Sequence, residues 1–225
     1  MEVIPWIDLH CHCRQRPSWQ CREEYRQVYN FLCSTDCEKI DPEAGLWFSA
    51  GIHPRDFEKA HWEQLAFCLD HEACIAVGEC GMDRFVSKDL REQRQVFIRQ
   101  AEMAAERKKP LIVHGVRVHE ELLLLRRDFP EEQPWICHGF RGNERKTMRM
   151  IEGGFYLSFG QGLLKDAANM ESFFYKIPQS RIFCETDESG EDIRKIYAQA
   201  ASLLQCSEPE FRLTVRKNFE RCFHQ

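Results

Sequence analysis

Short runs of apolar residues alternate with longer amphipathic stretches along the chain. Runs such as IAVG, LIVH and FYLSF are continuously hydrophobic, which is typical of parallel strands that are covered on both faces. The apolar runs predict eight strands, at residues 3–9, 27–34, 46–51, 74–79, 110–114, 135–140, 154–160 and 181–187. The amphipathic stretches predict helices at residues 61–72, 88–107, 118–127, 143–152, 163–175, 191–204 and 208–222.

This alternation of strand and helix predicts an α/β fold, and eight strands favour closure into a TIM-type (β/α)₈ barrel. The length of 225 residues is at the lower end for such a barrel. Because the sequence contains neither a linker nor a repeat, we predict a single domain over residues 1–225. Residues 14–26 barely hold two helical turns and include Pro17, so the first helix is predicted to be stunted or absent.

Composition and charge restrict the class of protein. The chain is 43% hydrophobic and 30% charged, as expected for a globular protein. No apolar run approaches the ~20 residues that a membrane span needs, and the N-terminus lacks the pattern of a signal peptide. We therefore predict a cytoplasmic protein with no membrane segment, and no obligate protein partner is evident. A net charge of −5 argues against a generic nucleic-acid binder, but not against an enzyme whose metal ions supply local positive charge.

Twelve cysteines are scattered through the apolar segments. In a chain without a secretion signal, this distribution indicates reduced core thiols rather than a disulfide framework. Cys33 and Cys37 are four residues apart, but no second pair completes a zinc site.

Metal-competent side chains recur at the C-terminal ends of the predicted strands. They are His10, His12, His53, Glu79, His114, His138 and Asp187. Loops at this end of a barrel ring one pocket, so we expect these side chains to converge there. Imidazoles and carboxylates without a thiolate suit Zn²⁺, Mn²⁺ or Mg²⁺. Taken one at a time, each histidine has the alternative interpretation of a satisfied core residue.

Local spacing refines several of these roles. His10 and His12 are two residues apart at a strand end and point to the same side, so Cys11 is predicted to be a core thiol. The same argument directs Cys80 and Cys137 away from the ligands beside them. Glu79 carries a carboxylate that can bridge two cations, one oxygen to each.

The last predicted strand carries two acidic residues at its end. Asp187 suits either metal ligation or proton transfer to and from a water molecule. Glu185 lies two residues earlier on the same face, where it would support Asp187.

Seven ordered motifs resemble the TatD family. They are Asp8-Leu-His10-Cys-His12, Gly51-Ile-His53-Pro54, Gly78-Glu79-x-Gly81-Met-Asp83, Pro110-x-x-x-His114-x-x-Arg117, His138-x-Phe140-x-Gly142, Gly153-Gly154-Phe-Tyr-Leu-Ser158 and Glu185-Thr186-Asp187. That family consists of metal-dependent hydrolases with a TIM-barrel fold in the amidohydrolase superfamily. The likeness runs from residue 8 to about residue 190, and the closing Asn218-Phe-Glu-Arg also resembles the family's C-terminus.

The resemblance implies a divalent-metal phosphodiesterase, typically a deoxyribonuclease that acts on DNA ends. It implies two ions, one held by His10, His12, Glu79 and Asp187 and the other by Glu79, His114 and His138. His53 would line the pocket near the scissile phosphate. A barrel mouth suits an unpaired terminal nucleotide better than a closed duplex, so the expected substrate is a single-stranded DNA end.

Several side chains are candidates for contact with the substrate. Arg84, Arg117 and Arg141 carry guanidinium groups that can bind phosphate, with solvated surface residues as the alternative interpretation. Four aromatic residues are candidate stacking surfaces or core residues, namely Trp19, Trp47, Trp135 and Phe140.

Three departures from the family pattern affect loops rather than metal ligands. The chain is short, Ser189 stands where proline is common, and Arg141 stands where a smaller residue is usual. They are typical of a compact bacterial subgroup. The alternatives are a carbonyl-centred hydrolase on the same site (an amidase, lactonase or aminoacyl-tRNA deacylase) and a non-catalytic metal-binding protein. Glu79, in the place of the carbamylated lysine of many amidohydrolases, favours the phosphodiesterase.

Overall fold

All eight predicted strands are present, and they form one sheet in chain order. The structure is a computed structural model that describes residues 3–12, 24–33, 47–87 and 89–224. The strands are β1 (Trp6–Cys11), β2 (Tyr25–Leu32), β3 (Trp47–Gly51), β4 (Cys74–Asp83), β5 (Leu111–Val116), β6 (Trp135–Cys137), β7 (Phe155–Phe159) and β8 (Ile182–Cys184). Pairing is parallel for β3–β4, β4–β5, β5–β6 and β7–β8. A parallel bridge from Cys11 to Asp187 links the first strand to the segment after the last one.

Helices occupy the predicted intervals between the strands. They are α1 (Trp62–Leu69), α2 (Arg91–Glu106), α3 (His119–Arg126), α4 (Glu144–Glu152), α5 (Gly162–Lys165), α6 (Ala167–Met170), α7 (Ile193–Leu203) and α8 (Glu208–Phe223). Caps explain two of the starts. Asn143 accepts a hydrogen bond from the amide of Lys146, and Ser207 forms a reciprocal capping box with Glu210. The predicted first-helix region lies mostly outside the described residues, as do Trp19 and Cys37.

The predicted helix over residues 163–175 is wrong, because this segment forms α5, α6 and a 3₁₀ turn at Phe174–Lys176. The break falls at Asp166, which ends α5 and begins α6. Aspartate and asparagine compete with the helical backbone for hydrogen bonds, and this segment has both within four residues.

The chain divides into two compact units, Met1–Val28 with His138–Gln225 and Tyr29–Cys137. The core of the first unit includes Tyr197, whose hydroxyl accepts a hydrogen bond from the amide of Ile7 and donates one to its carbonyl oxygen. The core of the second includes the rings of Phe97 and Trp135, with centroids 5.1 Å apart. The prediction of a single domain over residues 1–225 stays a prediction.

Strand β4 is longer than predicted, because it continues through Asp83 with all ten residues buried. Glu79 therefore lies inside the strand rather than at its end. Val77 pairs with Leu111 and Cys80 pairs with Val113, so β4 has one residue more than β5 over this interval. Such a bulge changes the direction of side chains, and here it falls at Glu79.

Eight of the nine cysteines among the described residues are buried, as predicted for core thiols, namely Cys11, Cys33, Cys68, Cys74, Cys80, Cys137, Cys184 and Cys222. Cys206 is partly exposed. Burial raises the pKa of Cys80 well above its usual value, so its sulfur stays protonated and is a poor metal ligand. In the described part of the chain, no helix combines the length and the hydrophobicity needed to cross a bilayer.

Candidate metal centre

The first unit brings together His10, His12, His138 and Asp187. The Oδ1 atom of Asp187 lies 3.6 Å from Nε2 of His10 and 3.4 Å from Nε2 of His12. The ring centroids of His10 and His138 are 4.4 Å apart. One ligand atom each from His10, His138 and Asp187 all lie within 4.8 Å of one another, which is close enough to share one cation.

The backbone of Asp187 is held in place by the first strand. Its amide donates a 2.8 Å hydrogen bond to the carbonyl oxygen of His10, and its φ of 54° is left-handed. Aspartate tolerates this conformation better than most residues, because its short side chain bonds locally. The preceding residue, Thr186, is also held by the first strand, because its amide and hydroxyl donate hydrogen bonds to the carboxylate of Asp8 at 2.8 and 2.7 Å.

Asp8 therefore connects the last strand segment to the first strand. It also accepts a 2.8 Å hydrogen bond from the hydroxyl of Tyr25. Complete burial raises the pKa of Asp8 to about 7, against the opposing effect of these hydrogen bonds. The sequence alone assigns no role to Asp8. Its contacts explain why an aspartate precedes the histidine pair.

Glu185 contacts the His138 segment. Its Oε1 atom accepts a 2.5 Å hydrogen bond from the amide of Gly139 and lies 3.7 Å from Nδ1 of His138. The predicted support for Asp187 stays a prediction. The Oε2 atom of Glu185 is buried and has no hydrogen-bond partner among the described residues.

The second unit brings together His53, Glu79 and His114. The Oε1 atom of Glu79 lies 2.6 Å from Nδ1 of His114 and 3.3 Å from Nε2 of His53. Nδ1 of His53 accepts a 3.0 Å hydrogen bond from the amide of Arg55. In a neutral ring the proton is therefore on Nε2, the nitrogen that faces Glu79. Ligand atoms of the three residues lie within 4.8 Å of one another.

Asp83 provides a second carboxylate in contact with His114. The sequence interpretation did not assign a role to Asp83. Its Oδ2 atom lies 3.1 Å from Nε2 of His114. The imidazole therefore contacts a carboxylate through each nitrogen. Gly81 permits this closeness of β4 and β5, because a Cβ at that position would lie 1.9 Å from the carbonyl oxygen of His114.

Helix α2 fixes the main chain on both sides of this cluster with two buried glutamines. Gln93 accepts from the amide of Asp83 at 2.7 Å and donates to its carbonyl oxygen at 3.2 Å. Gln100, seven residues later on the same helical face, does the same for Ile52, at 2.7 and 3.1 Å. Ile52 directly precedes His53.

Asn30 fixes the carboxylate of Glu79. Its side-chain amide donates to Oε2 of Glu79 at 3.2 Å, and its side-chain oxygen accepts the amide of Glu79 at 2.9 Å. Oε2 is thereby held by Asn30 while Oε1 faces the two imidazoles. No distinct sequence signal marks this contact, since β2 also contains the polar residues Arg26 and Gln27.

We expect Asn30→Ala to lower divalent-metal affinity by about 10- to 100-fold, because the partners that orient a ligand contribute about that much. Calorimetric titration of metal-stripped protein with Mn²⁺ or Zn²⁺ measures the change. Asn169→Ala, at an exposed asparagine of α6, is the matched control. Unchanged affinity in a folded Asn30→Ala protein would contradict the positioning role.

The predicted phosphate contacts differ in their surroundings. Arg84 forms an ion pair with Glu121 and donates to the carbonyl oxygen of Arg117 at 3.0 Å. Arg117 has a left-handed backbone, with φ of 57°. Arg141 is exposed and lines an open cavity with Asn143 and other residues. Their role as phosphate contacts stays a prediction.

Two of the four candidate stacking residues lie in the core. Trp135 and Phe140 are buried, which supports the core interpretation for both. Trp47, at the start of β3, is partly buried.

The donor chemistry of both clusters fits divalent cations. Neutral imidazole and carboxylate donors, with the neighbouring thiol protonated, suit Zn²⁺, Mn²⁺ or Mg²⁺. A nearby cation would stabilise a buried carboxylate oxygen that has no hydrogen-bond donor, and Oε2 of Glu185 is such an oxygen among the described residues. Each cluster thus has the composition of a metal site.

A model of the TatD-related DNase family matches residues 7–224. The chain belongs to the TatD-related DNase family. This match confirms the resemblance that the seven motifs carry, and TatD-family membership extends over both compact units.

Two relatives illustrate the names that similar proteins carry. An uncharacterised metal-dependent hydrolase, BU355 of Buchnera aphidicola, is 28% identical over 210 residues, which is 80% of each chain. The 3′-5′ ssDNA/RNA exonuclease TatD of Escherichia fergusonii is 27% identical over 150 residues. That match covers 63% of this chain and 57% of the relative, so the matched segment spans less than two thirds of the exonuclease.

A solved structure supports the fold. The crystal structure of YJJV, a TatD homologue from Escherichia coli K12, superimposes with a TM-score of 0.81 over 98% of both chains at 22% identity. The predicted α/β fold of the TIM-barrel type is therefore confirmed. At this identity, the likeness carries no information on the substrate.

Proposed function

We propose that this TatD-family protein is a divalent-metal-dependent phosphodiesterase that removes nucleotides from the ends of single-stranded DNA. The observation that carries the proposal is the pair of imidazole–carboxylate clusters, in a chain matched from residue 7 to residue 224 by a DNase family. The names of relatives such as the 3′-5′ ssDNA/RNA exonuclease support a nucleic-acid substrate and a 3′ end.

In this proposal, two divalent ions (Zn²⁺, Mn²⁺ or Mg²⁺) would be held by His10, His12, Glu79, His114, His138 and Asp187. Glu79 would belong to both ligand sets, because a carboxylate offers two oxygens. A bound divalent ion lowers the pKa of water to near neutrality, which supplies a nucleophile.

The protein's own groups then have distinct tasks. Asp187 takes up the proton of the attacking water, since its carboxylate is more than a third exposed while its backbone is fixed. His53 is proposed to contact the phosphate and Glu185 to hold the His138 segment. Arg117, Arg141 and Arg84 are proposed to stabilise charge on the phosphate.

The direct test uses end-labelled single-stranded DNA, metal-stripped protein and separate additions of Mg²⁺, Mn²⁺ or Zn²⁺. We expect metal-dependent shortening from the 3′ end, with little cleavage of a blunt duplex. RNA of the same sequence is run in parallel, because the exonuclease relative is named for both polymers.

Failure to cleave any of these polymers, by protein that binds two ions, would overturn the phosphodiesterase proposal. It would favour a carbonyl-centred hydrolase, which the same metal chemistry serves. An aminoacyl-tRNA and a lactone are the probes for that alternative.

A further inference from the structure

Phe85 is the most exposed large apolar side chain in the described part of the chain, at 70%. It lies in the turn directly after β4, at the C-terminal end of that strand. A single exposed phenylalanine is common on protein surfaces and has no meaning by itself. Its position beside the second cluster gives it significance.

The backbone of Phe85 is tied to a carboxylate that contacts the candidate metal ligand His114. Its amide donates a 2.7 Å hydrogen bond to Oδ1 of Asp83, and Oδ2 of the same carboxylate lies 3.1 Å from His114. One buried carboxylate therefore positions both the exposed ring and the imidazole. The backbone that carries the ring is therefore held close to the proposed reaction site.

A cation accompanies the ring. The guanidinium carbon of Arg117 lies 4.5 Å from the centroid of Phe85, in a cation–π contact. The backbone of Arg117 is held as well, because its carbonyl oxygen accepts the 3.0 Å hydrogen bond from Arg84. An exposed aromatic surface with an adjacent positive charge matches a nucleotide, which combines a flat base with an anionic phosphate.

We propose that Phe85 and Arg117 form a base-stacking ledge, on which an unpaired base of the substrate lies beside the phosphodiester to be cleaved. This inference rests on the proposed function and adds a specificity to it. The enzyme would then require a base at this position and accept any of the four, because every base offers a stacking face.

The test compares the wild-type protein and Phe85→Ala on two single-stranded DNAs. One has a normal 3′-terminal nucleotide, and the other has an abasic residue at that place. We expect the wild-type protein to prefer the normal end in kcat/KM by about 5- to 150-fold, the range for one stacked base. Phe85→Ala should lose most of this preference, measured as the ratio of the two kcat/KM values, whereas Phe85→Tyr should restore it.

Phe67→Ala is the matched control, because Phe67 is also a highly exposed phenylalanine of the same unit, on α1. It should keep the wild-type preference. The comparison is repeated with the abasic residue at the next position from the 3′ end. If Phe85→Ala still prefers the normal strand over both abasic strands, the ledge is overturned while the nuclease proposal stays intact.

A binding measurement separates the two proposals when no strand is cleaved. The probe is DNA with the fluorescent base 2-aminopurine at its 3′ end, because stacking of this base quenches its fluorescence. Quenching by the wild-type protein but not by Phe85→Ala would support the ledge even if the nuclease proposal fails. Absence of quenching by the wild-type protein would overturn the ledge.

Discussion

Asp187→Asn is expected to lower kcat on single-stranded DNA by about 10²- to 10⁴-fold, the contribution of a positioned proton acceptor. Asparagine keeps the size of the side chain and tolerates the left-handed backbone with φ of 54°, so the fold should persist. His10, His12 and Glu79 remain as the proposed ligands of the same ion, so metal should stay largely bound. Rapid-quench turnover and metal analysis of the same sample measure the two quantities.

The control for this variant is Asp166→Asn, at an exposed aspartate between α5 and α6. It should match the wild-type protein in turnover. Wild-type turnover by Asp187→Asn and by Asp187→Ala would show that the assignment of Asp187 is wrong. Loss of bound metal together with activity would make Asp187 primarily a ligand.

The second large effect is expected from His114→Ala, which should reduce the bound metal from two ions to one per chain and abolish turnover. His114 contacts Glu79 at 2.6 Å and Asp83 at 3.1 Å, and it separates these two carboxylates. Without the ring, the ion loses one of its proposed ligands, and both carboxylates lose their contact with the imidazole. Elemental analysis after dialysis gives the stoichiometry.

His114→Gln is the companion variant, because it retains a hydrogen-bond donor between the carboxylates and guards against misfolding. His61→Ala, at an exposed histidine before α1, is the control and should retain both ions. Two bound ions in folded His114→Ala would remove His114 from the ligand set.

The fold was largely predictable from the sequence because parallel strands covered on both faces are continuously apolar. β5 and β7 were found within two residues of their predicted ends. The segment 163–175 was not predictable in the same way, because its apolar residues have helical spacing while Asp166 interrupts the backbone. The bulge at Glu79 was also invisible, since an inserted residue in a strand of ten buried residues leaves no mark in hydrophobicity.

The candidate ligands could be selected from the sequence because they have unusual chemistry in apolar surroundings, and their role as ligands stays a prediction. The structure brings His10, His12, His138 and Asp187 together in one unit, and His53, Glu79 and His114 together in the other. Their supporting residues were not predictable, because Asn30 and Gln93 come from distant parts of the chain and have ordinary amide side chains. Such roles depend on tertiary contacts that a sequence interpretation without relatives does not contain.

The left-handed backbone of Asp187 also determines how this protein can change in evolution. Glycine and asparagine suit that conformation, and each is one nucleotide change away from an aspartate codon. Replacement by either residue would remove the proposed proton acceptor at little cost to folding. The position is therefore one where a lineage can lose its chemistry and keep its architecture, and a natural homologue with asparagine or glycine there would be a well-folded pseudoenzyme.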